Sequence, residues 1–136
     1  MTKAVFFDID GTLINIHRGR TRLTEPVKKA IRALRRAGHR TFIASGRPWA
    51  YLGRELTESG LFDGFVLLNG AVVMLDGQVI FCKNLPLEVV RAIVKRAEEC
   101  GVEYILESTP SVYLKQEYKA LEEVYTSIDI SLDYFV

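Results

Sequence analysis

Apolar and polar residues follow one another in blocks whose period switches between two and about 3.6 residues, and the switches mark out the elements. Ala4-Val5-Phe6-Phe7 is an unbroken apolar run of strand length and reads as a short buried strand. Thr24-Glu25-Pro26 has the chemistry of a helix start, with Thr24 as N-cap and proline in the first turn. Val27, Ala30, Ile31, Leu34 and Ala37 supply that helix with an apolar stripe, and Gly38 closes it. His39 to Ala44 reads as a second strand, and Ser45-Gly46-Arg47-Pro48 leads into a second helix that runs to about Ser59 and is closed by Gly60. Phe65 to Leu68 is a third strand. Asn69-Gly70 turns the chain into Val72 to Leu75, and Asp76-Gly77 turns it again into Val79 to Phe81, the pattern of a β-hairpin.

From Leu85 onward the character changes. Pro86-Leu87-Glu88 opens a helix whose Val89, Val90, Ile93, Val94 and Ala97 should face inward, with Gly101 at its end. Val102 to Leu106 and Ser111 to Lys115 read as two antiparallel strands, and Tyr118 to Thr126 as a helix. Tyr104, Tyr113, Tyr118 and Tyr125 fall on strand and helix faces, where they read as packing residues. The β-α-β-α-β order predicts an α/β fold: a Rossmann-like parallel-sheet core with right-handed crossovers over residues 1–82, then a second α/β unit over residues 83–136.

With 136 residues, 49% of them hydrophobic and 26% charged, the chain has the composition of a soluble globular protein with a core of ordinary size, which excludes disorder. No apolar run approaches the roughly 20 residues that cross a bilayer, and the first residues lack the pattern of a signal peptide, so no membrane partner is expected. Cys82 and Cys100 have no CxxC spacing and suggest neither a disulfide nor a cysteine metal site; a reducing cytoplasm is the expected setting. The net charge is +1, yet nine Lys and Arg lie between Arg18 and Arg40 against Glu25 alone, while nine acids follow from Glu98 against Lys115 and Lys119. Lys28, Lys29, Arg32, Arg35 and Arg36 fall opposite the apolar stripe of the first helix, so the basic stretch reads as a solvated face rather than a nucleic-acid site. His17 and His39 have no metal-ligand spacing, and Trp49 reads as a packing residue.

Chemistry gathers at the strand ends. Asp8-Ile9-Asp10-Gly11-Thr12 places two carboxylates where the first apolar strand stops, and Gly11 lets the backbone curl and present N–H groups. One acid can attack while the other handles protons; the alternative is a turn with solvated Asp side chains. Ser45-Gly46-Arg47 repeats the arrangement one strand later, with a hydroxyl, a glycine that permits close approach and a helix start that favours an anion. Arg47 has two readings, as a fork for a substrate anion or as a structural partner for a nearby carboxylate. Asn69 either serves only its turn or also orients the substrate or Asp10. The polar segment from Ile14 to Leu23 reads as a loop over the site that could gate access.

Asp8-Ile9-Asp10-Gly11-Thr12-Leu13 resembles DxDGT[LV], the first signature of the haloacid dehalogenase-like phosphatases, and Ser45-Gly46-Arg47 resembles the SGR form of the second signature in their Cof-like branch. The resemblance implies Asp8 as the nucleophile that forms an aspartyl-phosphate and Asp10 as general acid/base. It implies phosphate or substrate contacts at Gly11, Thr12, Ser45, Gly46, Arg47 and Asn69, and a magnesium ion on the Asp8 carboxylate and the Asp10 carbonyl. Residues 1–82 would be the first part of the catalytic core and 83–136 the first part of an α/β cap that selects a small phosphorylated metabolite, such as a sugar phosphate. The chain departs from the family pattern in having neither the third-signature lysine nor the acidic GDxxND cluster. Lys115 and Lys119 lie in the cap sequence, and Asp129 and Asp133 lack the glycine-flanked setting. The departure implies a thinly held metal, a sheet with an open edge, and self-association or a complementing second half. Two alternatives stand beside hydrolysis: a non-catalytic fragment that binds phosphate, metal or a partner, and a phosphotransferase.

Overall fold

The computed structural model describes residues 1–15, 19, 21–109, 111–115, 117–127, 130, 133 and 135–136. His17, Asp129 and most of the Ile16–Arg20 part of the proposed gating loop lie outside the described residues. The contacts divide the chain into two units, one of residues 1–47 and 52–82 and one of residues 48–51 and 83–136.

The first unit is built on a five-stranded sheet in the order β1 (Ala4–Phe7), β2 (Arg40–Ala44), β3 (Gly64–Leu67), β4 (Val72–Leu75), β5 (Gln78–Cys82). β1, β2 and β3 run parallel, while β4 and β5 are antiparallel, so the sheet is mixed. The antiparallel pair follows from its turns. Asp76 and Gly77 both have positive φ, 48° and 80°, as a two-residue turn between twisted strands requires. β1 is not the buried strand its apolar run suggested: it forms one edge of the sheet, and Phe6 is 55% exposed although its ring stacks on Phe42 at 5.0 Å.

Helix α1 (Glu25–Arg36) connects β1 to β2. Thr24 occupies the N-cap position with extended backbone but makes no side-chain cap, and Pro26 lies in the first turn as expected. Ile31 is the residue of its stripe that becomes fully buried. The second crossover is not the single helix expected. It breaks into a 3-10 turn over Trp49–Tyr51 and the one-turn helix α2 (Arg54–Thr57), because Gly53 between them has φ 69°, outside helical geometry. Ile9, Leu13, Leu23, Ile31, Ile43, Leu52, Leu56, Leu61, Phe65, Leu67 and Val72 make up the buried apolar set of this unit.

One polar network crosses that core. Thr41 is fully buried; its hydroxyl donates to the Leu61 carbonyl at 2.5 Å and its N–H to Asp63 at 2.8 Å. The Arg35 guanidinium closes the circuit, at 2.6 Å from Asp63 and 3.1 Å from the Thr41 hydroxyl. Arg40 adds a 2.7 Å pair with Asp76, and Lys28 pairs with Glu25 and Glu55. Three of the nine basic residues of the stretch, Lys28, Arg35 and Arg40, are therefore engaged within the unit.

The second unit holds helix α3 (Leu87–Glu99), the antiparallel pair β6 (Ile105–Glu107) and β7 (Val112–Leu114), and helix α4 (Lys119–Ser127). Tyr51, Val112 and Ile130 are its buried cluster, with Tyr125 and Phe135 packed against it. Burial raises the Tyr51 hydroxyl above its ordinary titration range, reinforced by Tyr125 and Glu107, and burial likewise raises the Glu107 carboxyl. The inward stripe expected of α3 is reached in part. Val90, Val94 and Ala97 are half-buried, but Val89 and Ile93 are exposed and line an apolar groove with Ala92, Cys100 and Val102.

Candidate active site

Register brings the polar strand ends together. Phe7 is paired with Ile43 and Ala44 with Val66, so Asp8, Ser45 and the turn after Leu67 leave the parallel strands at the same edge of the sheet. Neighbouring strands lie about 4.8 Å apart, which makes these residues close neighbours. In open α/β sheets that edge is where ligands bind.

After β1 the chain closes on itself around one buried residue, Ile9. Its carbonyl accepts the N–H groups of Thr12, Leu13 and Ile14 at 3.2, 3.0 and 2.9 Å, and Gly11, at φ 83°, donates its own to the Ile14 carbonyl at 2.7 Å. The curl expected of Gly11 is present, but the amides of Gly11 and Thr12 are spent inside the loop rather than presented outward. Thr12 reaches the site through its side chain instead, its hydroxyl lying 3.3 Å from Asp8. Burying Ile9 turns its neighbours Asp8 and Asp10 out of the core, and both are exposed.

The two carboxylates have different surroundings. Among the described residues Asp8 has that single long contact with a neutral hydroxyl. Asp10 sits in the fork of Arg47, with Nε donating to one carboxylate oxygen at 2.9 Å and a terminal nitrogen donating to the other at 2.6 Å. A bidentate guanidinium pair occupies both oxygens and fixes the carboxylate plane. Asp8 keeps its lone pairs available for attack.

Ser45 is buried beside them, and its N–H continues the ladder to the Val66 carbonyl at 2.9 Å. Its hydroxyl oxygen accepts the Arg47 N–H at 3.2 Å, an arrangement that leaves the hydroxyl proton to donate. Gly46 lets the Asn69 side chain pack closely on the backbone: a Cβ there would lie 3.1 Å from the Asn69 amide oxygen, a tight contact. Asn69 comes from a run of three left-handed residues, Leu68, Asn69 and Gly70, at φ 51°, 54° and 93°. Leucine rarely adopts that conformation, at a cost of roughly 1–2 kcal/mol. The turn is held by its amides, as Leu68 donates to the Arg47 carbonyl at 3.3 Å and Asn69 to the Ser45 carbonyl at 3.4 Å. Asn-Gly gave away the turn in sequence, but nothing marked Leu68.

The far end of the loop after Thr12 is pinned as well. Leu23 is buried and its N–H donates to Glu55 at 3.1 Å, while Lys28 lies 2.8 Å from the same carboxylate. Burial pushes the Glu55 carboxyl up, but Lys28 and the Leu23 amide outweigh it, and the net position is below the ordinary carboxylate range.

Among the described residues the Asp8 carboxylate meets the Thr12 hydroxyl and no cation, and Mg²⁺ is commonly held by one or two carboxylates together with waters and substrate phosphate. The Asp10 carboxylate is engaged by Arg47, so its carbonyl is the second donor. Among the described residues no group of three or more His, Cys, Asp or Glu side chains gathers to hold a metal. The donors suit a thinly held magnesium ion. Among the described residues, too, no helix is long and apolar enough to cross a membrane.

Comparison with known proteins places the chain in a family. The family model described as haloacid dehalogenase-like hydrolase matches residues 5–133. A Bacillus subtilis (strain 168) protein named "Putative phosphatase YkrA" is 36% identical over 98 residues, 72% of this chain and 37% of its own length. A crystal structure from work on a trigonal-bipyramidal intermediate in a phosphoryl-transfer superfamily matches all of this chain at 31% identity and a TM-score of 0.84. The subclass IIB sugar phosphatase BT4131 matches 98% of the chain at 30% identity and a TM-score of 0.82. The chain spans about half the length of both structures, 52% in each case. With the family model matching residues 5–133 and a subclass IIB phosphatase matching nearly the whole chain, this chain belongs to the haloacid dehalogenase-like hydrolases, in their Cof-like branch.

Proposed function

We propose that the chain carries the nucleophile and the acid/base of a magnesium-dependent hydrolysis of a small phosphate monoester, with a sugar phosphate as the substrate class. The observation that carries this reading is the division between the two carboxylates, Asp8 open to attack and Asp10 held by Arg47, beside the Ser45 hydroxyl. The similarity to a protein described as a sugar phosphatase supports the substrate class.

In the first step Asp10 carries a proton on a lone pair that the Arg47 fork leaves open; an Asp8 carboxylate oxygen bonds to phosphorus as the bond to the leaving oxygen breaks, and Asp10 delivers that proton to the leaving oxygen. Asp10 then takes a proton from water as the water oxygen attacks phosphorus, the Asp8–phosphorus bond breaks, and phosphate and the Asp8 carboxylate are released. Ser45 donates its hydroxyl proton to the transferring group throughout. When bound, magnesium supplies positive charge against the phosphoryl oxygens. The exposed thiols of Cys82 and Cys100 suit a reducing cytoplasmic setting, and the exposed Phe6 edge suits a second copy or a complementing second half.

Hydrolysis of p-nitrophenyl phosphate with magnesium tests the reading. Asp8→Asn should lower kcat at least about a thousandfold, the scale on which a lost covalent nucleophile is felt. Full activity in that variant would sink it. Phosphate binding without turnover by the parent chain would select the non-catalytic reading, and acceleration by an added alcohol the phosphotransferase.

A further inference from the structure

We propose that Arg47 is the positioning residue for Asp10, and not a fork for an anionic group of the substrate. The inference rests on the proposed hydrolysis and deepens it. Three observations carry it. Both donors that reach Asp10, at 2.9 and 2.6 Å, belong to one guanidinium and end on the two oxygens of one carboxylate, which uses the planar face best suited to a second anion. The Arg47 side chain is only 16% exposed while that of Asp10 is 54% exposed, so the cation is embedded and the acid stands between it and solvent. An incoming ester meets Asp10 first.

The third observation is that Arg47 ties all three strand-end loops together. Its side chain holds the loop after β1, its N–H donates to the Ser45 hydroxyl in the loop after β2, and its carbonyl accepts the Leu68 N–H from the turn after β3. A guanidinium delivered from backbone fixed on both sides has little freedom to leave Asp10 for a ligand. The left-handed Leu68 takes part in that fixing, a use of local strain that fits its place at a functional edge. Phosphate is then left to Ser45 and to the cation on Asp8, and Arg47 acts on the reaction through the aim of Asp10.

A residue that acts through the general acid should matter in proportion to the proton its substrate needs. p-Nitrophenolate leaves without protonation, whereas the alkoxide of glucose 6-phosphate does not. The experiment compares the full chain with Arg47→Gln and Arg47→Lys on both esters with magnesium. For Arg47→Gln the expected result is a fall in kcat of about a hundredfold with glucose 6-phosphate and about threefold with p-nitrophenyl phosphate, within the 10²–10⁴ that acid catalysis contributes, with both KM values within twofold. Arg47→Lys should recover part of the alkyl-ester loss, since an ammonium can still hold one oxygen. In an Asp10→Asn background, where the acid is already gone, Arg47→Gln should cost less than about threefold more.

A tenfold rise in KM at unchanged kcat would make Arg47 a substrate contact and overturn the inference. Equal losses on the two esters would make its role merely structural and overturn it too, as would a further tenfold loss in the Asp10→Asn background. Should Arg47→Gln not fold, as read by circular dichroism, the Arg47→Lys leaving-group ratio decides by the same criteria. A parent chain that turns over neither ester overturns the proposed hydrolysis, and the inference falls with it; an active parent with the wrong leaving-group pattern overturns the inference alone.

Discussion

Asp63→Ala removes the acceptor at the centre of the one polar network that crosses the core of the first unit. The Thr41 N–H and Arg35 lose a hydrogen-bond partner, and Arg40, 3.8 Å away and 42% exposed at its side chain, loses a longer pair of little worth. The Thr41 N–H, in a residue with no exposed surface and 2.8 Å from the carboxylate, has no route to water, and a stranded buried donor costs about 2 kcal/mol. Arg35, at 2.6 Å, is 32% exposed at its side chain, so water takes over part of its contact and its loss is discounted to about 1 kcal/mol. Water entering where Asp63 is itself 15% exposed relieves little of the first cost. The variant should therefore lose about 3 kcal/mol, a large share of the 5–15 kcal/mol typical of folded proteins. Asp63→Asn keeps one acceptor and should lose about half as much. Urea unfolding followed by circular dichroism measures both, with Arg54→Ala as a control, because the exposed Arg54–Glu58 pair should be worth no more than about 0.5 kcal/mol. A loss under about 1 kcal/mol for Asp63→Ala, or equal losses for Ala and Asn, would refute the reasoning that the carboxylate holds a buried donor.

Other expected outcomes follow from the same geometry. Gly64→Ala drives a methyl group into the Met74 carbonyl oxygen and to 3.1 Å from the Phe42 ring, so β3 must part from β4; a loss of about 3 kcal/mol in urea unfolding is expected, and a neutral variant would show that the strands give way freely. Glu55→Gln tests the pinned loop through pH. The folded carboxyl titrates below its ordinary value of 4.5, so its contribution is fully present above that value and is lost as pH falls through the lowered range. The stability gap between parent and variant should thus shrink on acidification below pH 4.5; a gap that widens there would reverse the sign of the argument.

The parts of this molecule that sequence made legible are those dictated locally. An Asp-Gly pair between apolar runs requires positive φ and yields the β4–β5 hairpin, and the apolar period of α1 and α3 locates both helices within a residue or two. The strand-end placement of Asp8, Ser45 and Asn69 was readable because each follows a short apolar run and has a glycine within the next three residues. What sequence did not reveal depends on neighbours. An apolar run looks alike in a central and an edge strand, so the exposure of Phe6 was hidden. Gly53 inside a helical pattern usually costs stability without ending a helix, yet here it adopts φ 69° and divides the crossover. The pairing of Arg47 with Asp10 was hidden as well, because the two lie 37 residues apart. The amides of Gly11 and Thr12 were expected to face outward and are instead spent on the loop, since burying Ile9 draws the turn around its carbonyl.

The central claim is that Asp8, and not Asp10, takes the phosphoryl group. The direct measurement is to mix the chain with magnesium and p-nitrophenyl phosphate, quench within the first turnover, reduce with borohydride and map the product by mass spectrometry. An aspartyl-phosphate is reduced to homoserine, whereas a free carboxylate is not. The account predicts homoserine at position 8 alone, abolished in Asp8→Asn and accumulating in Asp10→Asn, where the water step lacks its base. Homoserine at position 10, or ester hydrolysis with no reduced residue at all, would contradict it.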